Sequence, residues 1–337
     1  MGAVVRSGNK KLVAIAFALS IIFTITLLYT TLELPNMLNT LLVESFPDYG
    51  LKQEEAEQFL SKIRPISYIC FITTIALIIF GIVLRRHKLA KLGSLVLYLP
   101  TFSYFASTMF FLTGIGILRI IWLPMIELAP GDSWSQKIYA AATFLELGDS
   151  VYIPYDMLRF LFTSLIRLRS ELVDSSFFNI IVYLSALIFF VSCTTWFYAK
   201  FKGIKIIDFS IYKYVRHPQY LSFILWSYAL LIFDKYLFRP PKGGYFAPPP
   251  LVWLIAVFSI LVVALHEESV MIKTFGQKYE EYRRKTPFII PLPKMIPTAI
   301  LLPFRKIFNK EHPERNFEIA FIFGLYGVIL IIISIFY

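Results

Sequence analysis

Seven long stretches of the chain, each of at least 16 residues, contain no Asp, Glu, Lys, Arg or His: 12–32, 65–84, 92–118, 175–199, 218–233, 243–265 and 319–337. They run 21, 20, 27, 25, 16, 23 and 19 residues. Crossing a hydrocarbon core of ~30 Å takes roughly 20 apolar residues at 1.5 Å of rise each. Six stretches meet that length alone; 218–233 is short and begins or ends in the interface. The region 119–174 is mixed. Apolar runs (Ile120 to Ile126, Tyr139 to Leu145, Phe160 to Ile166) alternate there with Asp132, Glu146, Asp149 and Asp156. Either two short or oblique helices cross there, or they lie in the interface with one charged face. The pattern predicts an all-α fold, a polytopic integral-membrane helical bundle of seven to nine transmembrane helices.

Composition agrees. Of 337 residues, 57% are hydrophobic and 16% charged, against 45–50% and about 25% in an ordinary soluble domain. Mean hydropathy is +0.67. A disordered chain, a disulfide-stapled scaffold and a water-soluble enzyme are excluded. The run 12–32 is too long for a signal peptide and lacks a small-residue cleavage site, so it reads as a retained first helix. Cys70 and Cys193 fall inside apolar spans and read as core residues; two cysteines define no metal site. Pro240, Pro241 and Pro248 to Pro250 form a stiff turn between the fifth and sixth spans.

The net charge of +11 is explained by its placement. With the N-terminus in the cytoplasm, segments 1–11, 85–91, 200–217 and 266–318 hold 22 of the 33 basic and 8 of the 22 acidic residues, a net of +14. The opposite side holds 11 basic and 14 acidic residues, a net of −3. This is the positive-inside asymmetry, with attraction to anionic headgroups. No nucleic-acid motif accompanies it.

Closely spaced glycines that cradle a nucleotide after a strand are missing. Gly203, Gly243–Gly244 and Gly276 have no GxGxxG spacing, and Gly114 and Gly116 sit inside a span, where small residues serve helix contact. Any nucleotide-like cofactor must therefore be held by membrane helices and their capping loops.

Three segments on the cytoplasmic side carry candidate chemistry. In Tyr212-Lys-Tyr-Val-Arg-His-Pro-Gln-Tyr220, Pro218 suits the first turn of a helix, and that N-terminus offers free amides to an anion. Arg216 and His217 add cationic donors, or else anchor and cap the helix. In Leu265-His-Glu-Glu-Ser269, two carboxylates stand at the edge of hydrocarbon, where they are costly unless they serve a partner or reach water. Adjacent on a helix, Glu267 and Glu268 point about 100° apart and cannot act as one dyad. In 275–287, Phe275, Tyr279 and Tyr282 recur on one amphipathic face, suited to docking on the interface or to stacking a cofactor.

The set R-H-P-x-Y at 216–220, E-E at 267–268 and F-G-x-x-Y-x-x-Y followed by two prolines, at 275–291, resembles the isoprenylcysteine carboxyl methyltransferase family. That family lies within a superfamily of membrane methyltransferases for phospholipid amines and small thiols. The resemblance covers roughly residues 200–291. It implies S-adenosylmethionine as cofactor, bound in a cytoplasmic C-terminal helical region. By the same resemblance, Ile204 to Ile207 line the adenine pocket and Tyr212 packs near the nucleoside. His217, Pro218, Gln219 and Tyr220 form the cofactor-binding turn, joined by Tyr279 and Tyr282. Glu267 meets the cofactor's charged end, and Arg216, Glu267 and Glu268 are the catalytic set. The cofactor's carboxylate, ammonium and sulfonium suit a helix N-terminus, a carboxylate and aromatic rings in turn.

Two positions depart from the family pattern. The prenylcysteine enzymes hold the substrate carboxylate with an arginine one turn before the first glutamate; Val263 stands there, and no basic residue lies between Lys242 and His266. Ser222 replaces a glycine and is small enough for the same close approach.

The domain expectation is 1–199 as N-terminal transmembrane helices forming a lipid-acceptor or partner region, 200–295 as the catalytic core, and 296–337 as a linker and final span. The functional expectation is a membrane S-adenosylmethionine-dependent methyltransferase acting on a lipophilic acceptor that enters from the bilayer. Its class (isoprenylcysteine carboxylate, phospholipid, or small thiol or amine) stays open, with Tyr220, His266 and Glu268 as possible proton relays. Two alternatives stand beside it. One is a sterol-reductase-like NADPH-dependent enzyme, with Arg216, Arg283, Arg284 and Lys285 on the cofactor phosphates. The other is a transporter or structural subunit, although no internal repeat is visible.

Overall fold

The computed structural model describes residues 2–33, 37, 53–84, 123–237, 250–290, 302–309 and 316–336. Every regular element among them is helical: α1 Gly2–Leu28, α2 Gln53–Val83, α3 Leu123–Leu128, α4 Trp134–Leu145, α5 Ile153–Phe160 and α6 Ser170–Phe201. There follow α7 Pro218–Ile232, α8 Pro250–Phe275, α9 Gln277–Lys285, α10 Leu302–Phe308 and α11 Asn316–Phe336.

Five stretches are long and apolar enough to cross a membrane: Lys10–Glu33, Arg64–Gly81, Ser170–Phe201, Pro218–Leu237 and Trp253–Phe275. Phe321–Phe336 is a shorter apolar helix. The expected span 92–118 and most of the proline turn 240–250 lie outside the described residues. The expected short stretch 218–233 reaches Leu237 because a π-turn, Phe233–Leu237, continues α7 past Asp234 and Lys235. Within 123–165 the helices are short: α4 has 12 residues, about 18 Å of rise, and α5 has 8 before a 5-residue π-turn, Leu161–Leu165, continues it.

The surfaces of these helices suit hydrocarbon. Ile69 is 65% exposed and Tyr183 72% exposed, a display that a water-soluble monomer avoids. Hydroxyls inside the spans turn back on their own helix: Ser20 donates to the Ala16 carbonyl at 2.7 Å, Thr74 to Cys70 at 2.8 Å and Thr195 to Val191 at 2.8 Å. That local bond satisfies a polar group where no water is available. The chain reads as an integral membrane protein.

The described chain forms two compact units that share helices. The first comprises Met1–Leu28, Ile180–Trp226 and Leu261–Leu325. Here α1 meets α6 edge-to-face through Phe17–Phe190 and Phe23–Phe197, with ring centroids 5.0 and 5.5 Å apart. Val215, Leu221, Ala264 and Ile289 form a buried cluster that fixes the start of α7 against α8.

The second comprises Tyr29–Asn179, Ser227–Ile260 and Tyr326–Tyr337. Its core gathers Val151, Tyr152, Tyr155, Leu231, Ile232 and Leu254. Tyr228 donates to the Val151 carbonyl at 2.9 Å, and Ser150 receives α11 through the Leu330 carbonyl and the Ser334 hydroxyl. Gly148 lies so close to Pro250 and Leu251 that a Cβ would stand 2.7 Å from the Leu251 nitrogen.

Candidate functional site

The start of α7 is built as its sequence suggests. Pro218 is the first helical residue, where a missing N–H costs nothing. The His217 carbonyl accepts the Leu221 amide at 3.0 Å and so opens the helix. Ahead of it, Ser210–Lys213 forms a 3₁₀ turn that buries Tyr212. The Ser210 hydroxyl donates to Thr195 Oγ1 of α6 at 3.0 Å.

The chain beyond α9 returns alongside this segment. The Arg216 amide donates to the Pro287 carbonyl at 3.0 Å and the His217 amide to the Phe288 carbonyl at 3.3 Å. The Tyr282 hydroxyl donates to the Tyr212 carbonyl at 2.7 Å. Gly276 makes the bend between α8 and α9 with φ +54° and ψ −132°, a conformation nearly reserved for glycine.

Side chains then converge on the two glutamates of α8. Glu268 is buried, and its Oε1 lies 2.6 Å from Arg216 Nη1 and 3.2 Å from His217 Nε2. Its Oε2 faces Arg283 Nε at 3.5 Å. Glu267 turns elsewhere and accepts the Tyr220 hydroxyl at 2.8 Å. The two carboxylates thus serve different partners, as their angular separation on a helix requires. His217 stacks on Tyr220 at 5.6 Å, and Phe288 meets the imidazole edge-on at 5.2 Å. Phe288 also lies 5.5 Å from the Arg216 guanidinium.

The electrostatics are unbalanced toward cations. Two guanidiniums, with 7% and 13% of their side-chain surface exposed, enclose one carboxylate. Neither Arg216 Nε nor Arg283 Nε has a hydrogen-bond partner among the described residues, and the close Arg216–Glu268 pair is out of line for a hydrogen bond. Each buried, unsatisfied donor costs about 1–3 kcal/mol. Burial lowers the pKa of Arg216, with Glu268 opposing that shift. Burial, reinforced by Glu268, raises that of Tyr279; burial also raises Tyr282 and Tyr212, so all three remain phenols.

Of the residues expected from sequence, Arg216, His217, Tyr220, Glu267 and Glu268 come together. Tyr279 is buried beside them, and Tyr282 ties α9 to Tyr212. Gln219 turns to α6, where its amide approaches Cys193 Sγ at 3.7 Å. Ile204 is 37% exposed and Ile207 half-buried in the loop after α6. Sequence reasoning left Phe288 out of the site and named Arg283 only for the reductase alternative. Arg283 had a signal, one turn after Tyr279 on the same face of α9. Phe288 had none, because its place depends on the returning chain. Among the described residues no group of three or more His, Cys, Asp or Glu is placed to hold a metal ion.

No family model and no solved structure matches the chain. Among curated proteins, Protein-S-isoprenylcysteine O-methyltransferase of Schizosaccharomyces pombe is 34% identical over 84 residues, 24% of this chain and 31% of that protein. Methanethiol S-methyltransferase 2 of Bradyrhizobium diazoefficiens is 32% identical over 83 residues, 24% and 27% of the two chains. A methanethiol S-methyltransferase of Crocosphaera subtropica is 30% identical over 84 residues, 24% and 28%. The matches span less than a third of the length of these relatives. The chain therefore has weak, partial homology to membrane methyltransferases of the isoprenylcysteine O-methyltransferase type.

Proposed function

We propose that the chain is an integral-membrane S-adenosylmethionine-dependent methyltransferase acting on a lipophilic acceptor. The observation that carries this reading is the surplus of buried cationic donors, Arg216 Nε and Arg283 Nε, around Glu268, next in sequence to the less buried carboxylate of Glu267. A zwitterionic amino-acid end needs that pairing of groups: the guanidiniums for its carboxylate, Glu267 for its ammonium. When bound, the cofactor supplies an activated methyl group and its positive sulfonium.

The chain's residues then have separable tasks. Glu268 positions Arg216 and His217 by holding both from one oxygen. The stacked His217 and Tyr220 rings present π-faces suited to a cation. Tyr220 orients Glu267 through its hydroxyl. The apolar flanks of α7 and α8 exclude water and admit an acceptor from the bilayer, so that alignment does most of the catalytic work. In this reading 200–295 is the catalytic core, and 1–199 serves the acceptor or a partner. The core is assigned to the cytoplasmic side in this reading, which the basic surplus supports.

The reductase alternative has less support. It asks Arg216, Arg283, Arg284 and Lys285 to gather on phosphate, yet the first two face Glu268 and the last two are exposed.

Isothermal titration of the purified full chain with S-adenosylmethionine and S-adenosylhomocysteine tests the proposal. Saturable binding is expected, weakened at least tenfold in His217→Ala. Absence of saturable binding at millimolar cofactor overturns it.

A further inference from the structure

One nitrogen at the candidate site has no task in the reading above. His217 Nε2 faces Glu268 Oε1 at 3.2 Å. Two rings confine the imidazole: Tyr220 stacks on it, 16° from parallel, and Phe288 meets it at 78°. Its backbone is held on both sides, by the Phe288 carbonyl and the Leu221 amide. In a neutral imidazole, the bond made by one nitrogen decides which of the two keeps the hydrogen. An ionised carboxylate only accepts, so Nε2 carries the hydrogen and Nδ1 keeps a lone pair. Nδ1 has no hydrogen-bond partner among the described residues, yet it is not sealed in like Arg216 Nε and Arg283 Nε. His217 keeps 11% of its side-chain surface exposed.

The neighbouring groups are committed elsewhere. Glu268 is shared by Arg216, His217 and Arg283. Glu267 accepts the Tyr220 hydroxyl, and Tyr282 donates to the Tyr212 carbonyl. Tyr279 is a buried phenol. His266 precedes Glu268 by two positions on α8, about 200° around the helix and so on its other side.

The route from the bilayer adds a constraint on the acceptor. The runs 218–233 and 243–265 contain no Lys, Arg or His, and both buried guanidiniums of the site face Glu268. An acceptor that arrived as an anion would be buried without a countercharge, which is costly. A neutral acceptor avoids that cost, but the atom that is methylated must then give up a proton.

We infer that His217 Nδ1 is the general base that takes this proton, and that the acceptor arrives neutral with a hydrogen on the reacting atom. The inference rests on the methyltransferase reading and adds to it a catalytic task for His217. The acceptor's bond to hydrogen breaks and the proton passes to Nδ1. The electron pair left behind forms the bond to the methyl carbon. The carbon–sulfonium bond breaks in the same displacement, and its electrons neutralise the sulfonium. Glu268 stabilises the imidazolium until the proton leaves for water.

Two measurements on the purified full chain in detergent test this. The first is nitrogen NMR of imidazole-labelled, cofactor-free protein. The chain has four histidines, so replacing His87, His266 and His312 in turn assigns the His217 signal. A neutral tautomer with a bare Nδ1 is expected; a hydrogen on Nδ1 in the neutral ring overturns the inference. The second follows methyl transfer to octanethiol, octylamine and octanoate at saturating S-adenosylmethionine. Octanethiol or octylamine is expected to be methylated and octanoate to be refused. His217→Ala should slow that transfer about a hundredfold, and added imidazole should restore at least tenfold, which a merely structural loss would not allow. Methylation of octanoate alone, or no recovery with imidazole, overturns the inference. If no probe reacts or the variant does not fold, the wild-type tautomer decides. Failure of the wild-type chain to bind S-adenosylhomocysteine overturns the methyltransferase reading itself; saturable binding with any contrary result above overturns only the task given to His217.

Discussion

Tyr220 and Glu267, forty-seven positions apart, are joined by one hydrogen bond: the phenol donates to Oε1 at 2.8 Å. The bond links the first turn of α7 to the C-terminal part of α8 and gives the Glu267 carboxylate a fixed direction. On the proposed reading, that direction is where it meets an ammonium group.

On the proposed reading, Glu267→Gln removes the charge and keeps the shape. S-adenosylmethionine affinity should fall about tenfold or more, ~1.4 kcal/mol. Tyr220→Phe removes only the orienting bond and should cost two- to fivefold. Calorimetric titration of both variants checks the order. Equal losses, or none, contradict it.

Glu268 has a different weight. Its carboxylate is enclosed by Arg216, His217 and Arg283, so Glu268→Gln leaves two guanidiniums buried without a countercharge. Removing one partner of a buried ion pair costs about 3–5 kcal/mol. The thermal midpoint in detergent should drop clearly, even without cofactor. Glu267→Gln, whose residue is less buried, should leave it nearly unchanged.

Two glycines are expected to fail for separate reasons. Gly276 has open space where a Cβ would stand but a positive φ, so Gly276→Ala should cost about 1–3 kcal/mol of backbone strain. Because α9 carries Tyr282 and Arg283, cofactor affinity should fall with it. At Gly148 a Cβ meets backbone at 2.7 Å. Gly148→Ala must therefore move the start of α8 or the 3₁₀ turn Asp149–Tyr152, lowering the melting temperature by a comparable amount. A wild-type melting curve for either variant refutes its argument.

Hydropathy made most of the membrane architecture legible, because an apolar run of about 20 residues has few other uses. The runs 12–32, 65–84 and 175–199 fall within described helices. The end of α7 was harder to read. Asp234 and Lys235 break the apolar run, but the helical path continues through them as a π-turn, held by tyrosines from 152 to 236.

At the candidate site, periodicity predicted that Glu267 and Glu268 diverge, and they do. It also placed Phe275, Tyr279 and Tyr282 on one face. It had no means to place Phe288. That ring reaches Arg216 and His217 only because 287–288 bonds back to 216–217, an arrangement between distant positions that no local pattern encodes. Gln219 is a similar case, since its partner Cys193 lies on the preceding helix.

The seam between Arg216–His217 and Pro287–Phe288 also sets a schedule for biosynthesis. Among the described residues, the five stretches long and apolar enough to cross a bilayer all end by Phe275. A chain cut before Pro287 keeps those stretches but lacks the carbonyls that accept the Arg216 and His217 amides. On the proposed reading, insertion and competence are then two events: such a chain would enter lipid yet stay blind to cofactor until the residues that close the seam are present.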